Sequence, residues 1–495
     1  MLSLTLIILP VICGLMVLAF KSDIAKYVAL AAAVAELAVV LVAFSGFATN
    51  ADVQYAFSMP WMPEWGITFS LGMDGISMML VFLAAILMPS IILSAFNNEK
   101  KFPAVFYALM LLMQSGLMGV FLAQDGFLFY FFWEIALIPI YFLASIWGSE
   151  RKIPVTTKFF IYTIFGSLFM LLSILYLYLH TGDAPSAAIS DLYRAGRSLG
   201  HLEQTYVFLG LFAAFAIKMP LFPFHTWQPD TYTEAPTPAT MLLSGIMLKM
   251  GVYGLIRWLL PVVPWAVNEW TPIIIVLSVI GIIYGSIIAI RQRDIKRLVA
   301  YSSFAHVGLM GAAIFSLEIE GLQGAIIQMV AHGINVVGLF HAVQIIRTRV
   351  GRTLDISDLG GITQSSPSLT VYFMLVLLGS VALPLTNGFP GEFLMLKGVF
   401  MYNPILGVVA GLTIILGAVY MLRLFQSTMF GPKTEATQNF AKLTFSEGMA
   451  FFPLASLVLL MGFFPNIFLS ITEPAAKALL TDVVSAVSNS LTLKP

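Results

Sequence analysis

The stretch AIKMPLFPFHTWQPDTYTEAPTPATMLLSGIMLKMGVYG, residues 216–254, decides the fold. An apolar run from Tyr206 to Ile217 reaches Lys218 and breaks at once at Met219-Pro220. A proline-rich segment with His225, Trp227, Asp230 and Glu234 follows, and a second apolar helix carries Lys249 in its interior. Twelve helical residues rise about 18 Å against roughly 30 Å of hydrocarbon, so the first run stops inside a membrane. Broken backbone at that depth is tolerated only where protein or a wet cavity covers it. Charges so placed mark ion or proton paths.

Composition agrees. Of 495 residues 59% are hydrophobic and only 10% charged, with mean hydropathy +0.93; a soluble chain is about a quarter charged. The reading is an all-α, polytopic integral membrane protein. Cys13 is the single cysteine, too few thiols for an iron–sulfur, zinc or disulfide site. With no dinucleotide fingerprint or phosphate loop, the chain is expected to hold no cofactor and no metal. Redox chemistry then belongs to partner subunits. Met1–Phe20 lacks a basic start and a small-residue cleavage site, and reads as a retained span.

Fourteen apolar segments run from 2–20 to 448–470, with the seventh (205–227) and twelfth (370–402) broken. Alternate loops collect 16 of the 25 Lys and Arg, and the opposite loops and tail hold Arg194, Arg197, Lys477 and Lys494. The positive-inside rule then places both termini outward. The breaks lie five spans apart, which suggests two inverted five-helix repeats with discontinuous spans 7 and 12, a transporter pattern. The expected division is 1–102 for spans 1–3, 103–260 and 272–430 for the two repeats, and 431–495 for span 14 and a tail.

Glu134 lies midway along span 5, Lys218 at the first break, Lys249 mid-helix, and Glu392 at the start of the resumed span 12. His225, His306 and His332 are candidate relay groups, since imidazole both accepts and donates protons. Gln328 and Asn335 are either wire members or helix glue. Glu36 reads as structural or subunit-facing, Arg257 and Arg423 as snorkelling near helix ends, and His341 is unassigned.

HTWQPDTYTEAPTPAT at 225–240, LGMDGIS at 71–77, KMGVYGLIR at 249–257, IKRLVAYSSFAHVG at 295–308 and QMVAHGIN at 328–335 carry a resemblance. Over roughly 65–430 the chain resembles the antiporter-like membrane subunits of respiratory complex I and their relatives in multisubunit cation/proton antiporters. Gln228, Thr231 and the Phe389-Pro390 pair depart from the usual pattern. The resemblance implies a Glu134–Lys218 ion pair acting as switch, Lys249 as connecting residue and Glu392 as terminal residue. The glutamate at 392, in place of lysine, points to one of the three related complex I subunits. It implies a non-redox, proton-translocating subunit of NADH–quinone oxidoreductase in a bacterial inner membrane. NADH, FMN, iron–sulfur clusters and quinone would lie in partner subunits. Partners would be other complex I membrane subunits, two of them antiporter-like, and lipid, with no nucleic acid. The alternative is a subunit of a multisubunit sodium/proton antiporter.

Overall fold

Apolar helices carry the chain almost from end to end, because a backbone in hydrocarbon must satisfy its own hydrogen bonds. The computed structural model describes residues 1–97, 101–351 and 354–492; the loop cations Lys100, Arg352 and Lys494 lie outside the described residues. Helices α1 (Leu2–Leu18) and α2 (Ser22–Ser45) lead to a hairpin of β1 (Gln54–Met62) and β2 (Ile67–Met73). Then come α3 (Gly75–Ser94), α4 (Pro103–Leu122), α5 (Gly126–Trp147), α6 (Lys152–Leu179) and a short amphipathic α7 (Ile189–Ser198). The first broken span is α8 (His201–Lys218) with α9 (Gln228–Glu234), followed by α10 (Thr237–Leu259). Helices α11 (Pro264–Arg291), α12 (Ile295–Phe315) and α13 (Ile319–Val350) precede the second broken span, α14 (Pro367–Ser380) with α15 (Gly388–Tyr402). The chain closes with α16 (Pro404–Met429), α17 (Phe445–Phe463) and α18 (Asn466–Thr492).

Among the described residues eleven helices are long and apolar enough to cross a membrane. The other three expected segments fall on the 17-residue α1 and the two broken spans. Helices α10 and α13 each carry an 18-residue stretch that is wholly buried, whereas in α2 and α16 only a third of such a stretch is buried. The interior of the bundle is therefore where Lys249, His306 and His332 sit.

Several expectations need correcting. Helix α8 starts at His201, not Tyr206, so it has 18 residues and is about 27 Å long. It still ends at Lys218, and residues 219–227 form turns rather than helix. The span expected from 272 begins at Pro264. The tail after α17 is helical: α18 lies against α3, α11 and α13, and Arg197 is ion-paired to Asp482. Residues 54–73, between the second and third spans, form an antiparallel hairpin pairing Phe57 with Leu71 and Met59 with Phe69.

Both ends of the bundle are fastened by charge. On the cation-rich face Asp230 of α9 is held by Lys158 at 3.2 Å and Arg297 at 3.3 Å. Beside it the buried Lys296 ammonium donates to the carbonyls of Thr233 at 3.0 Å and Ala235 at 2.6 Å. These carbonyls close the last turn of α9, where a cation compensates unpaired acceptors. On the other face Arg257 does not snorkel to water. It donates to Asp74 at 2.7 Å, with side-chain exposures of only 11% and 4%. Asp74 also caps α3 by accepting from the backbone amides of Ile76 and Ser77.

Candidate functional site

Lys249 occupies a stretch of α10 flanked by two wide turns, Leu243–Met247 and Leu255–Leu259, where hydrogen bonds run to the fifth residue. Such turns displace the backbone from α-helical register and occur often at functional sites. The Ser244 carbonyl accepts from the Lys249 ammonium at 2.5 Å, and His332 Nδ1 lies 3.0 Å from it. The contact depends on two glycines. A Cβ on Gly333 would meet the Gly245 carbonyl at 2.8 Å, and one on Gly245 would meet Val337 at 2.6 Å. With no side chains between them, α10 and α13 come close enough for lysine and imidazole to bond.

The array continues across α13 to α12 and α15. The rings of His332 and His306 are 5.7 Å apart between centroids. Beside them is a cavity of about 10 Å³ lined by polar groups of Ser302, Ser303, Gln328 and Asn335, roughly the room one water needs. His306 Nδ1 faces the Ser302 carbonyl at 2.8 Å, and Nε2 faces the Ser380 carbonyl at 3.0 Å. Nε2 also lies 3.1 Å from Glu392 Oε1. Both ring nitrogens thus face oxygen acceptors, and a hydrogen on Nε2 reaches the Ser380 carbonyl and the Glu392 carboxyl alike. Gln328 Nε2 donates to the same Glu392 oxygen at 3.4 Å. Lys249, His332, His306 and Glu392, from four helices, thus form one buried polar string in an apolar interior.

The structure does not bring every expected residue into this string. His225 stacks among Phe304 at 4.4 Å, Tyr284 at 5.3 Å and Phe222 at 5.7 Å, and its Nδ1 has no hydrogen-bond partner. Its position just after the break gave it the appearance of a relay, but its ring lies among aromatic side chains and outside the string. Lys218 and Glu134 are not bonded. Among the described residues the Lys218 ammonium has no hydrogen-bond partner, and it sits 5.2 Å from the Trp133 ring centroid. Glu134 itself is half-buried on α5, its Oε1 unpartnered. Glu36 is 1% exposed with both carboxyl oxygens unpartnered, so it does not face a neighbouring subunit. His341 Nε2 lies 3.1 Å from the Glu447 carbonyl, away from the string. Ser302, Ser303 and Ser380 were not singled out from the sequence. Ser302 and Ser303 stand one turn from His306 in the SSFAH stretch, which was the available signal.

The family described as NADH:quinone oxidoreductase/Mrp antiporter, TM, matches residues 123–417. A Rickettsia bellii protein, NADH-quinone oxidoreductase subunit M, is 37% identical over 486 residues, covering 96% of this chain and 97% of its own. The chain belongs to the family of antiporter-like subunits, with subunit M relatives along its whole length. In the solved respiratory complex I from Thermus thermophilus with bound NADH, one chain superposes with a TM-score of 0.90 at 30% identity. The match covers 98% of this chain and all of that one. A chain of the Mrp complex from Dietzia sp. shares the fold at TM-score 0.85 and 19% identity, covering 98% of each. Membership of this family and the eleven apolar helices make the protein an integral, multi-pass membrane protein.

Proposed function

We propose that the chain is a proton-translocating membrane subunit of NADH–quinone oxidoreductase, coupling electron transfer in partner subunits to proton movement. The observation that carries this reading is the buried string Lys249–His332–His306–Glu392. Proton carriers are expensive in hydrocarbon, and these four stand side by side across four helices. Residues 103–260 and 272–430 act as the two inverted halves, with the string running from the first into the second.

In this reading Lys218 and Glu134 form the switch. In the conformation described the ammonium rests on Trp133 and is not joined to Glu134, so the pair is open. Closing it holds the charge on Lys218; opening it in a dry site favours release of the proton toward Lys249. Helices α8 and α10 touch there. A Cβ on Gly251 would lie 2.7 Å from the Met219 amide nitrogen. Glu392 receives the proton through His306 and passes it outward. Each charge moved against 100 mV requires about 2.3 kcal/mol, within reach of one modulated ion pair.

Partner subunits supply NADH, FMN, iron–sulfur and quinone chemistry. Support for a neighbour comes from Glu134, since an acidic side chain only partly covered in the middle of a membrane helix is costly against lipid and is expected to be covered by protein. Whole-length identity to subunit M relatives favours this role over a stand-alone sodium/proton antiporter. The test is Lys249→Ala in the assembled enzyme in sealed vesicles. NADH-driven proton uptake is expected to fall well below wild type while the complex assembles. Wild-type uptake per NADH would contradict the proposal.

A further inference from the structure

Away from the polar string, α2, α3 and α17 enclose a cleft of about 580 Å³ lined by Tyr27, Val34, Pro89, Phe96, Met449 and Phe452 among others. Its lining is almost wholly apolar, and Tyr27, Met449 and Phe452 are exposed. Exposed apolar side chains on a membrane helix face lipid by default. What distinguishes this place is its concavity and what stands at its mouth.

The cleft begins at the cation-rich end of all three helices. Tyr27 and Val34 are seven residues apart on α2, so it penetrates about 10 Å into the leaflet. At the mouth the Lys26 ammonium lies 5.3 Å from the Tyr27 ring centroid and 5.4 Å from that of Phe96, both cleft residues. A polar rim completes it: Asn97 Nδ2 donates to Thr444 Oγ1 at 3.0 Å, and Ser446 Oγ to Asn97 Oδ1 at 3.4 Å. Lys21 and Lys442 flank the same edge in sequence.

We propose that this cleft is a phospholipid site: one acyl chain of an anionic lipid from the cation-rich leaflet lies between α2, α3 and α17, with its phosphate on Lys26. The charge pattern selects the occupant. A basic residue at the mouth of an interhelical pocket on the cytoplasmic side recognises anionic headgroups. A partner helix filling the same groove would bury Lys26 against apolar side chains, at a desolvation cost that a phosphate avoids. The flexible acyl chain also suits a wall bent by two helix prolines, Pro89 and Pro453.

The experiment uses the intact complex in nanodiscs, with photoreactive-acyl phosphatidylglycerol or phosphatidylcholine as probe and mass spectrometry of the labelled peptides. Expected is labelling of the α2, α3 and α17 cleft peptides by the phosphatidylglycerol probe, about fivefold above the phosphatidylcholine probe, the preference one lysine gives near a membrane surface. Lys26→Gln should remove that preference and Lys26→Arg keep it. Met449→Trp, which fills the cleft, should abolish cleft labelling while labelling near Ile415 on the exposed face of α16 persists. Equal labelling by both lipids, no labelling of the cleft, or cross-links showing a neighbouring subunit's helix in it would each overturn the proposal.

Discussion

Lys218 and Glu134 test the residue scale. Replacing either by alanine removes one half of the proposed switch, so each variant should assemble yet lose most proton translocation, read as protons moved per NADH in sealed vesicles. Normal coupled translocation by either assembled variant would contradict the assignment. The Asp74–Arg257 pair makes a contrasting case. It lies at the outer end of α10, away from the string, and its loss leaves an unpaired buried carboxylate that also caps α3. Arg257→Ala should destabilise the subunit by about 3–5 kcal/mol, seen as a lower melting temperature of the complex. The double change Asp74→Asn, Arg257→Met should recover much of it. If the single variant melts like wild type, the pair does not fasten that end.

The element scale shows what the sequence could and could not reveal. Hydropathy located the spans, and the positions of Pro220 and Pro384 located the two breaks. Hydropathy is blind to elements that lie along a membrane face. In the hairpin at 54–73 polar residues, glycines and the prolines Pro60 and Pro63 interrupt the apolar ones, and α18 mixes Ser, Thr, Glu, Lys and Asp into its apolar positions, so neither resembles a span. Side-chain partners in the interior were also hidden. Glu392, His306 and His332 could be named from their depth, but not that α10 and α13 approach through Gly245 and Gly333. The aromatic surroundings of His225 were hidden too, because chain proximity to a break says nothing about which face a ring turns to. The glycine contact is itself testable. Gly333→Ala would place a methyl 2.8 Å from the Gly245 carbonyl, costing about 1–3 kcal/mol and pushing His332 from Lys249. Slower translocation and a lower melting temperature are expected. Gly411→Ala on α16, where nothing lies within 4 Å, should be neutral. Equal behaviour of the two would remove the helix approach from the explanation.

At the scale of the whole molecule we propose an orientation from the charge asymmetry, with the cation-rich loops on the cytoplasmic side. With Cys13 replaced by serine, Arg293→Cys should react with impermeant maleimide only from the cytoplasmic side, and Asp191→Cys only from the opposite side. Reaction of both from one side would break the topology between α7 and α12. In the proposed function, orientation decides the direction in which the string delivers its proton, and Glu392 is its last member. Glu392→Gln preserves volume and the neighbourhood of Gln328 and His306 while removing the exchangeable carboxyl; Glu392→Asp keeps the carboxyl on a shorter arm. The most direct measurement is protons translocated per NADH by the assembled Glu392→Gln complex in sealed vesicles, beside Glu392→Asp and wild type. Expected is a large loss for glutamine and partial retention for aspartate, with assembly intact. A glutamine variant that translocates at the wild-type ratio would contradict the string and leave Glu392 a structural charge at the start of α15.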